Sequence, residues 1–539
     1  MAEENIREFD VIVIGAGTVG ENVADRVVRG GLTCAIVEAE LVGGECSYWA
    51  CIPSKALLRP GTALHTAQSV PGASDAVTKV LDPAPVLKYR DYFTNKWQDD
   101  GAVQWLVDTG IELIRGRARI TGPREVQVDG KDGTSYSLKA HHAVVVASGS
   151  TPLIPKIDGL RNVPYWTTRG ATSVRQIPKR FIVLGGGVAS VELAQAFARL
   201  GSSVSIVARG RLLSAFPEEA ADLVAAGLRA DGVDLHLGTD TARVEHEPDH
   251  AFSVTLGDGT VLNSDQLLVA TGRRPSLDNL GLENVGLDAE EGKPLRLTTD
   301  SSGLVEGAAS DGTSGLWLYA AGDAAGSVFL THQGKYEARA TGDAIVARAK
   351  GTLHGTPKAW SALAKTADEY AIPSVVFTDP EVASVGPGLK QALQKGINAS
   401  SVELPINVSG SQLHSENYQG WAQLVVDEDR KVVLGATFAG PEWPSFCTAP
   451  PSRLWAKCRW TGCGMPCRRS PPSARCGCAC WRSTDSDPLA AAGRRTVVAS
   501  GTREENGRMA KHLDIDGHPT WVEDLGGPGE PPCPPGGVE

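Results

Sequence analysis

Two cysteines, Cys46 and Cys51, stand with four residues between them in Gly43-Gly44-Glu45-Cys46-Ser47-Tyr48-Trp49-Ala50-Cys51-Ile52-Pro53-Ser54-Lys55. The spacing invites a local disulfide, with two unpaired loop thiols as the alternative. Pro53 suits the first turn of a helix, where its missing N–H would have no partner anyway. Cys51 then sits at a helix N-terminus with Lys55 in the same turn, and both features favour a thiolate. A lowered pKa is what separates a working redox cysteine from an inert one.

Two further stretches suit phosphates. Phe9-Asp10-Val11-Ile12-Val13-Ile14 is a short β-branched run ending at Gly15-Ala16-Gly17-Thr18-Val19-Gly20. In a G-x-G-x-x-G turn, Gly15, Gly17 and Gly20 let backbone amides approach a pyrophosphate that the next helix N-terminus favours. A second strand, Thr33–Val37, ends at Glu38, where a carboxylate can accept bonds from an adenosine ribose. A solvated strand-end glutamate is the plainer reading of Glu38. The scheme recurs about 170 residues on, where Phe181–Leu184 leads into Gly185, Gly187 and Ser190, so two dinucleotides are implied. The strand Ser203–Val207 then ends in Ala208-Arg209-Gly210-Arg211 and not in an acid. Arg209 and Arg211 can hold a 2′-phosphate through charge-assisted bonds, which points to NADPH, with NADH possible if they form only a solvated turn.

The stretch 43–55 resembles the redox-active segment of the pyridine nucleotide-disulfide oxidoreductases, the flavoenzyme family of dihydrolipoamide dehydrogenase, glutathione reductase and mercuric reductase. The family spelling is GGxCxNxGCxPSK. Gly43, Gly44, Cys46, Cys51, Pro53, Ser54 and Lys55 match it, while Tyr48 and Ala50 replace the usual Asn and Gly. The resemblance implies an α/β fold of two doubly wound, Rossmann-like domains, one for FAD and one for NAD(P), plus a truncated α+β interface domain. Residues 1–150 and 273–350 would form the FAD-binding domain, 151–272 the NAD(P)-binding domain, and 351–442 an incomplete interface domain. Residues 56–115 look helical and amphipathic and add little that is diagnostic.

The same resemblance assigns roles. Cys51 would be the charge-transfer thiol and Cys46 the interchange thiol of a Cys46–Cys51 disulfide, with Glu192 pairing with Lys55 beside the flavin. Gly116-Arg117-Ala118-Arg119 resembles the segment whose backbone, at Ala118, touches the adenine of FAD. Ala143–Ser150 matches the crossing between the nucleotide domains, with Ser148 in place of Thr and then Gly149. The return is Leu267–Pro275, including Gly272. In Trp317–Asp323 the family's aspartate, here Asp323, bonds the ribityl chain of FAD, and an N-cap is its alternative role. Residues 372–386 open the interface domain and imply a homodimer. Gly420–Val426 and Lys431–Phe438 read as strands joined by a charged turn at Asp427–Arg430. The expected partner is a small-molecule or protein disulfide. Mercuric reductase-like chemistry, quinone or diaphorase activity, and a flavin-binding remnant without turnover are the alternatives.

Composition bounds the rest. At 539 residues, 42% hydrophobic and net charge −11, the chain gives no reason to expect nucleic acid or an anionic membrane, which attract basic surfaces. The apolar run behind the acidic N-terminus is far shorter than the ~20 residues of a membrane span. Of 11 cysteines only Cys34, Cys46 and Cys51 precede residue 440, as in a reducing, cytoplasmic protein.

After Glu442 the pattern breaks. Residues 443–539 read as an aberrant, disordered tail, rich in Cys, Arg, Pro and Trp, without helical or strand period. Cys458, Cys463, Cys467, Cys476, Cys478 and Cys480 do not form paired C-x-x-C units, so no metal site is expected. Out-of-frame translation of a GC-rich gene accounts for so abrupt a shift, and an intact frame around codon 442 would defeat that hypothesis. His518-Pro519-Thr520-Trp521-Val522-Glu523 reproduces the family's H-P-T-x-x-E, in which the histidine serves as general base across the dimer. Its setting is foreign, because Met509–Asp514 resembles the opening of an α/β-hydrolase, so His518 and Glu523 are weak candidates.

Overall fold

The computed structural model describes residues 6–247, 251–290, 292–309, 316–415 and 417–441, and the backbone of 499–505, 508–515 and 518–523. The chain forms two compact units, Met1–Cys480 and Trp481–Glu539.

The first sheet of the larger unit grows from β1, Arg7–Ile14, whose neighbours are β2, Cys34–Glu38, and β6, Ser135–Val146, both parallel to it. β3, Glu112–Arg115, extends it beyond β2, and β16, Leu318–Ala320, adds in parallel to the far end of β6. β5, Glu125–Asp129, pairs antiparallel with the near end of β6, and β4, Arg117–Gly122, pairs antiparallel with β5 at the edge. Val11 and Val13 face one core with Val23 and Val27 of α1, Thr18–Arg29, and Ile345 of α9, Thr331–Ala349. Ile12 and Ile14 face the other with Val144, Leu282 and Trp317. Burial on both faces is why β1 reads as an unbroken apolar run, and each such side chain contributes about 1.5–3 kcal/mol.

The redox loop leaves β2 through α2, Gly44–Tyr48, and enters α3, Cys51–Gln68. The stretch expected to be helical to residue 115 breaks into α4, Pro83–Phe93, α5, Asp100–Thr109, and then β3, because Pro83 restarts a helix capped by Asp82 and Gly110 ends one.

A ribbon of β7, Ser150–Pro152, against β15, Arg273–Pro275, carries the chain out and back. Between them lie the short α6, Thr168–Thr172, and a parallel sheet in the order β10-β9-β8-β14. These strands are β8, Arg180–Leu184, β9, Ser203–Ala208, β10, Asp234–Leu237, and β14, Gln266–Val269. Helices α7, Val188–Arg199, and α8, Glu218–Ala230, cover it, and β11, Thr241–His246, β12, Phe252–Leu256, and β13, Val261–Ser264, form a small antiparallel sheet.

Past α10, Ala367–Tyr370, comes an antiparallel sheet in the order β17-β18-β21-β20-β19. Its strands are β17, Pro373–Val376, β18, Glu381–Val385, β19, Ala399–Ile406, β20, Gly420–Asp427, and β21, Val432–Gly440. Helices α11, Leu389–Gln394, and α12, Ser409–Gln412, flank β19 in sequence. Val382 and Trp421 face α8 while their neighbours Ala383 and Ala422 face the opposite core, the period-two alternation of a strand. The β20–β21 turn is held by Asp427, whose carboxylate accepts the Asp429 and Arg430 amides at 3.0 and 2.8 Å.

In the smaller unit the backbone pairs β22, Ala499–Glu505, β23, Arg508–Ile515, and β24, His518–Glu523, antiparallel in that order. This differs from the patternless tail read from the sequence. Hairpins join sequence neighbours through backbone bonds, which side-chain periodicity does not report. The cysteine cluster at 447–480 and the abrupt shift at 442 lie outside the described residues, as do the side chains of His518 and Glu523. Among the described residues no helix is long and apolar enough to cross a membrane.

Candidate functional site

The sequence places Cys46 in α2 and Cys51 at the first position of α3. Ala50, the N-cap of α3, offers no side-chain cap, so the helix N-terminus is left to the Cys51 sulfur. Cys51 Sγ lies 3.2 Å from Thr331 Oγ1 at the start of α9. Both cysteines are free thiols and hydrogen-bond each other. The bond from the Cys46 thiol, helped by Thr331 and the Lys55 cation, outweighs burial and brings Cys51 down to about 6. The same pairing, with burial, pushes Cys46 up. One sulfur of the pair is thus prepared as thiolate and the other as thiol.

Lys55 Nζ meets Glu192 Oε2 at 2.6 Å, and the ammonium stands 4.7 Å from the centre of the Phe377 ring. Glu192 Oε1 accepts the Phe377 amide at 2.9 Å. A surface position for Glu192 is therefore ruled out: the residue is 3% exposed, and both carboxylate oxygens are engaged on the Lys55 side.

Cys46 opens onto a cleft of about 450 Å³. Gly15, Gly17, Glu38, Cys46, Ala118, Ser148, Gly149 and Asp323 line it, together with Thr331. Gly15 has φ +104°, and a Cβ there would sit 2.4 Å from Ala147 O. At Gly20 a Cβ would lie 1.9 Å from Gly15 O, so glycine is required for α1 to approach the turn. Gly17 caps α1 without a side-chain bond, leaving the first amides to a ligand. Glu38 accepts the Ala16 and Glu40 amides at 2.8 and 2.7 Å, and burial raises its pKa. Asp323 lies inside the turn Gly322–Ala325, whose N-cap is Ala321, so it is not a cap itself. Its carboxylate takes a bond from Ser150 Oγ, and burial raises its pKa against that bond and the Arg273 charge. Free helix amides at one end, two carboxylate acceptors for sugar hydroxyls and a thiol pair at the other make a donor set that fits FAD.

The second glycine turn is similar. Gly185 has φ +123°, Gly187 caps α7 without a side-chain bond, and a Cβ on Gly187 would meet nothing within 4 Å among the described residues. Ser190 is fully buried and donates to Ala270 O at 3.1 Å. Gly272, at φ +127°, belongs to the returning turn. The arginines divide. Arg211 is spent on its own loop, donating to the carbonyls of Leu212, Leu213, Ser214 and Phe216 at 2.5–3.3 Å. Arg209 is exposed. This turn fits a nicotinamide dinucleotide.

Several residues at the redox pair carry no sequence signal. Thr331, 280 residues from Cys51, and Arg169 belong to no motif, and Ser150, Arg273 and Phe377 lie in stretches that resemble the family's without being assigned a role there. Only their tertiary placement singles them out.

The pyridine nucleotide-disulphide oxidoreductase pattern matches residues 9–351, and the family's dimerisation domain matches 372–448. A mercuric reductase of Lysinibacillus sphaericus is 31% identical over 436 residues, 80% of this chain and 74% of that protein. A dihydrolipoyl dehydrogenase of Thermus scotoductus is 31% identical over 448 residues, 81% of this chain and 89% of that protein. In fold, the chain is similar to the Cu(II) complex of the HOCl-induced flavoprotein disulfide reductase RclA from Escherichia coli. That match has a TM-score of 0.67 at 23% identity, covering 81% of this chain and 90% of the other. The chain therefore belongs to the pyridine nucleotide-disulphide oxidoreductases, flavoprotein enzymes that use FAD and NAD(P)H and act on sulfur groups.

Proposed function

We propose that this enzyme reduces a small-molecule or protein disulfide, dihydrolipoamide-like in chemistry, with electrons from NADPH passed to Cys46 and Cys51. The observation that carries the reading is the thiol pair at the cleft, Cys46 lining it and Cys51 at the start of α3 with its sulfur 3.2 Å from Thr331 Oγ1, an arrangement that lowers Cys51 and raises Cys46. Bound FAD supplies hydride acceptance from nicotinamide and delivery of an electron pair to sulfur. Opening the Cys46–Cys51 disulfide takes two electrons and one proton, which leaves Cys51 as thiolate and Cys46 as thiol. Cys51 keeps its charge because the Cys46 S–H, Thr331 and Lys55 all favour it. Cys46, on losing its proton, attacks one sulfur of the acceptor and expels the other as a thiolate, which takes up a proton. Cys51 then attacks Cys46 in the mixed disulfide, expels the second sulfur as a thiolate that takes a proton from solvent, and restores the internal bond. Lys55, held by Glu192, keeps a cation beside this chemistry, and Asp323, Glu38 and the Gly15–Gly20 turn hold the cofactor. The dimerisation domain supports a homodimer, and the few cysteines of the body suit a reducing cytoplasm.

NADPH preference rests on Arg209. In Arg209→Glu the KM for NADPH is expected to rise roughly tenfold to a hundredfold with kcat and NADH kinetics little changed, as for one charge-assisted phosphate contact reversed in sign. Equal changes with both nucleotides would overturn the assignment.

Because Cys51 lies near 6, the long-wavelength absorbance that a thiolate gives beside an isoalloxazine should grow as pH rises through about 6 in the NADPH-reduced enzyme, and fade below it. A midpoint at an ordinary thiol value would contradict the pairing.

Relatives named mercuric reductase give metal-ion reduction as a second reading. No Cys-Cys dipeptide occurs in the chain, which leaves it without the family's second metal-binding pair. Steady-state NADPH oxidation with a disulfide, a quinone and Hg(II) in parallel separates the readings. The proposal fails if the disulfide alone is inert.

A further inference from the structure

The redox loop departs from the family spelling at Tyr48 and Ala50, and other segments grip it here. Arg169, in α6, ion-pairs through Nε with Glu45, the residue before Cys46, and through Nη2 with Glu40 at 2.9 Å. Its guanidinium carbon also lies 4.2 Å from the centre of the Trp49 ring, between the two cysteines. From the same short helix Thr172 Oγ1 donates to Trp49 O at 2.9 Å, and Trp97 Nε1 donates to Tyr48 O at 3.1 Å. The helix is itself anchored, since Arg90, 2% exposed, donates to the carbonyls of Thr172 and Val174. Among the described residues Glu45 Oε2 is buried without a hydrogen bond, and Arg273 Nη2 stands 3.8 Å from it. The Arg169 fork therefore carries most of what fixes that carboxylate.

We propose that Arg169 is the positioning residue of the redox pair, holding the segment from Glu45 to Cys51 so that the Cys46 thiol can donate to the Cys51 sulfur. The inference rests on the assignment of Cys46 and Cys51 as the redox pair. The groups that act on the sulfurs directly are Thr331, Lys55 and Lys335, together with each other. Arg169 works on their separation: it holds the residue before Cys46 and the ring midway to Cys51. A planar, forked, stacking cation is suited to gripping a carboxylate and an indole at once, and lysine is not.

The test is the pH midpoint of the long-wavelength thiolate absorbance in NADPH-reduced, FAD-loaded enzyme. In Arg169→Met the midpoint is expected to move upward by about one pH unit, a tenfold loss of thiolate at low pH. Arg169→Lys should resemble Arg169→Met, and Glu45→Gln, which keeps the stack and loses the ion pair, should shift part of the way. A raised midpoint in Arg169→Met with a wild-type midpoint in Arg169→Lys overturns positioning in favour of simple charge. Wild-type midpoints in all three variants, even with lowered melting temperatures, reduce Arg169 to a structural residue and sink the proposal. If Arg169→Met does not retain FAD, Arg169→Lys and Glu45→Gln decide: shifted midpoints support positioning, unshifted ones refute it. A wild-type enzyme that develops no such absorbance removes the redox-pair assignment instead, and so separates the two failures.

Discussion

Cys46→Ser should lose disulfide reduction by roughly three orders of magnitude or more in kcat/KM, the usual scale for deleting a nucleophile, while quinone reduction by NADPH continues. The asymmetry follows from the pair. Cys46 is the thiol pushed up by its partner, so it holds the proton and, once deprotonated, is the stronger nucleophile toward an external disulfide. Cys51 faces Thr331 and is already charged. A serine hydroxyl at position 46 can still donate to Cys51, so the Cys51 thiolate should survive in Cys46→Ser and weaken in Cys46→Ala. Parallel assays with a disulfide and a quinone, with the pH titration of the reduced enzyme, check this. Disulfide turnover in Cys46→Ser near the wild-type rate would place the chemistry elsewhere.

Gly20→Ala should yield a colourless protein. The added methyl would lie 1.9 Å from the Gly15 carbonyl oxygen, and since the backbone fixes the place of both atoms no rotamer change relieves the clash. Either α1 shifts outward or the Gly15 turn opens, and each movement spoils the amides that a pyrophosphate needs. Overpacking costs about 1–3 kcal/mol when side chains can adjust, and this rigid contact belongs at the upper end. Expressed wholly in binding, about 3 kcal/mol weakens FAD by on the order of a hundredfold. The ratio of flavin to protein after gel filtration, with melting temperatures measured with and without added FAD, reads the effect. Stoichiometric FAD and an unchanged melting temperature in Gly20→Ala would show that the close approach is not needed. The corresponding position of the second unit already holds Ser190, whose hydroxyl finds Ala270 O, so that helix tolerates a Cβ where the first does not.

Much of the site was legible from local pattern because its parts are local. The strand, glycine turn and helix of each nucleotide unit lie within about thirty residues, and steric rules for glycine and the unpaired amides of a helix start act over that span. The thiol spacing and Pro53 likewise place Cys51 at a helix start without reference to the rest of the chain. The Lys55–Glu192 contact spans 137 residues and was reached through family resemblance, not spacing.

Other features had no local cause. The two arginines after β9 look equivalent in sequence and both are exposed, yet Arg211 is consumed by four carbonyls of its own loop because the backbone curls around it, and among the described residues Arg209 has no such bonds. The break of the long helical stretch into α3, α4 and α5 follows a polar, proline-bearing segment whose ends the amphipathic period blurred. The pairing of β22, β23 and β24 depends on backbone bonds between neighbours and left no side-chain period to read.

By itself the sequence determined that two dinucleotide turns precede and follow a cysteine pair at a helix start, since each is set by the conformational limits of a few adjacent residues. Only the tertiary structure decided that Thr331 from α9 stands against Cys51 and that Arg169 from α6 grips both sides of Cys46. These contacts join segments more than a hundred residues apart, brought together by the burial of sheet and helix faces. That burial is a property of the whole core, and no short motif encodes it.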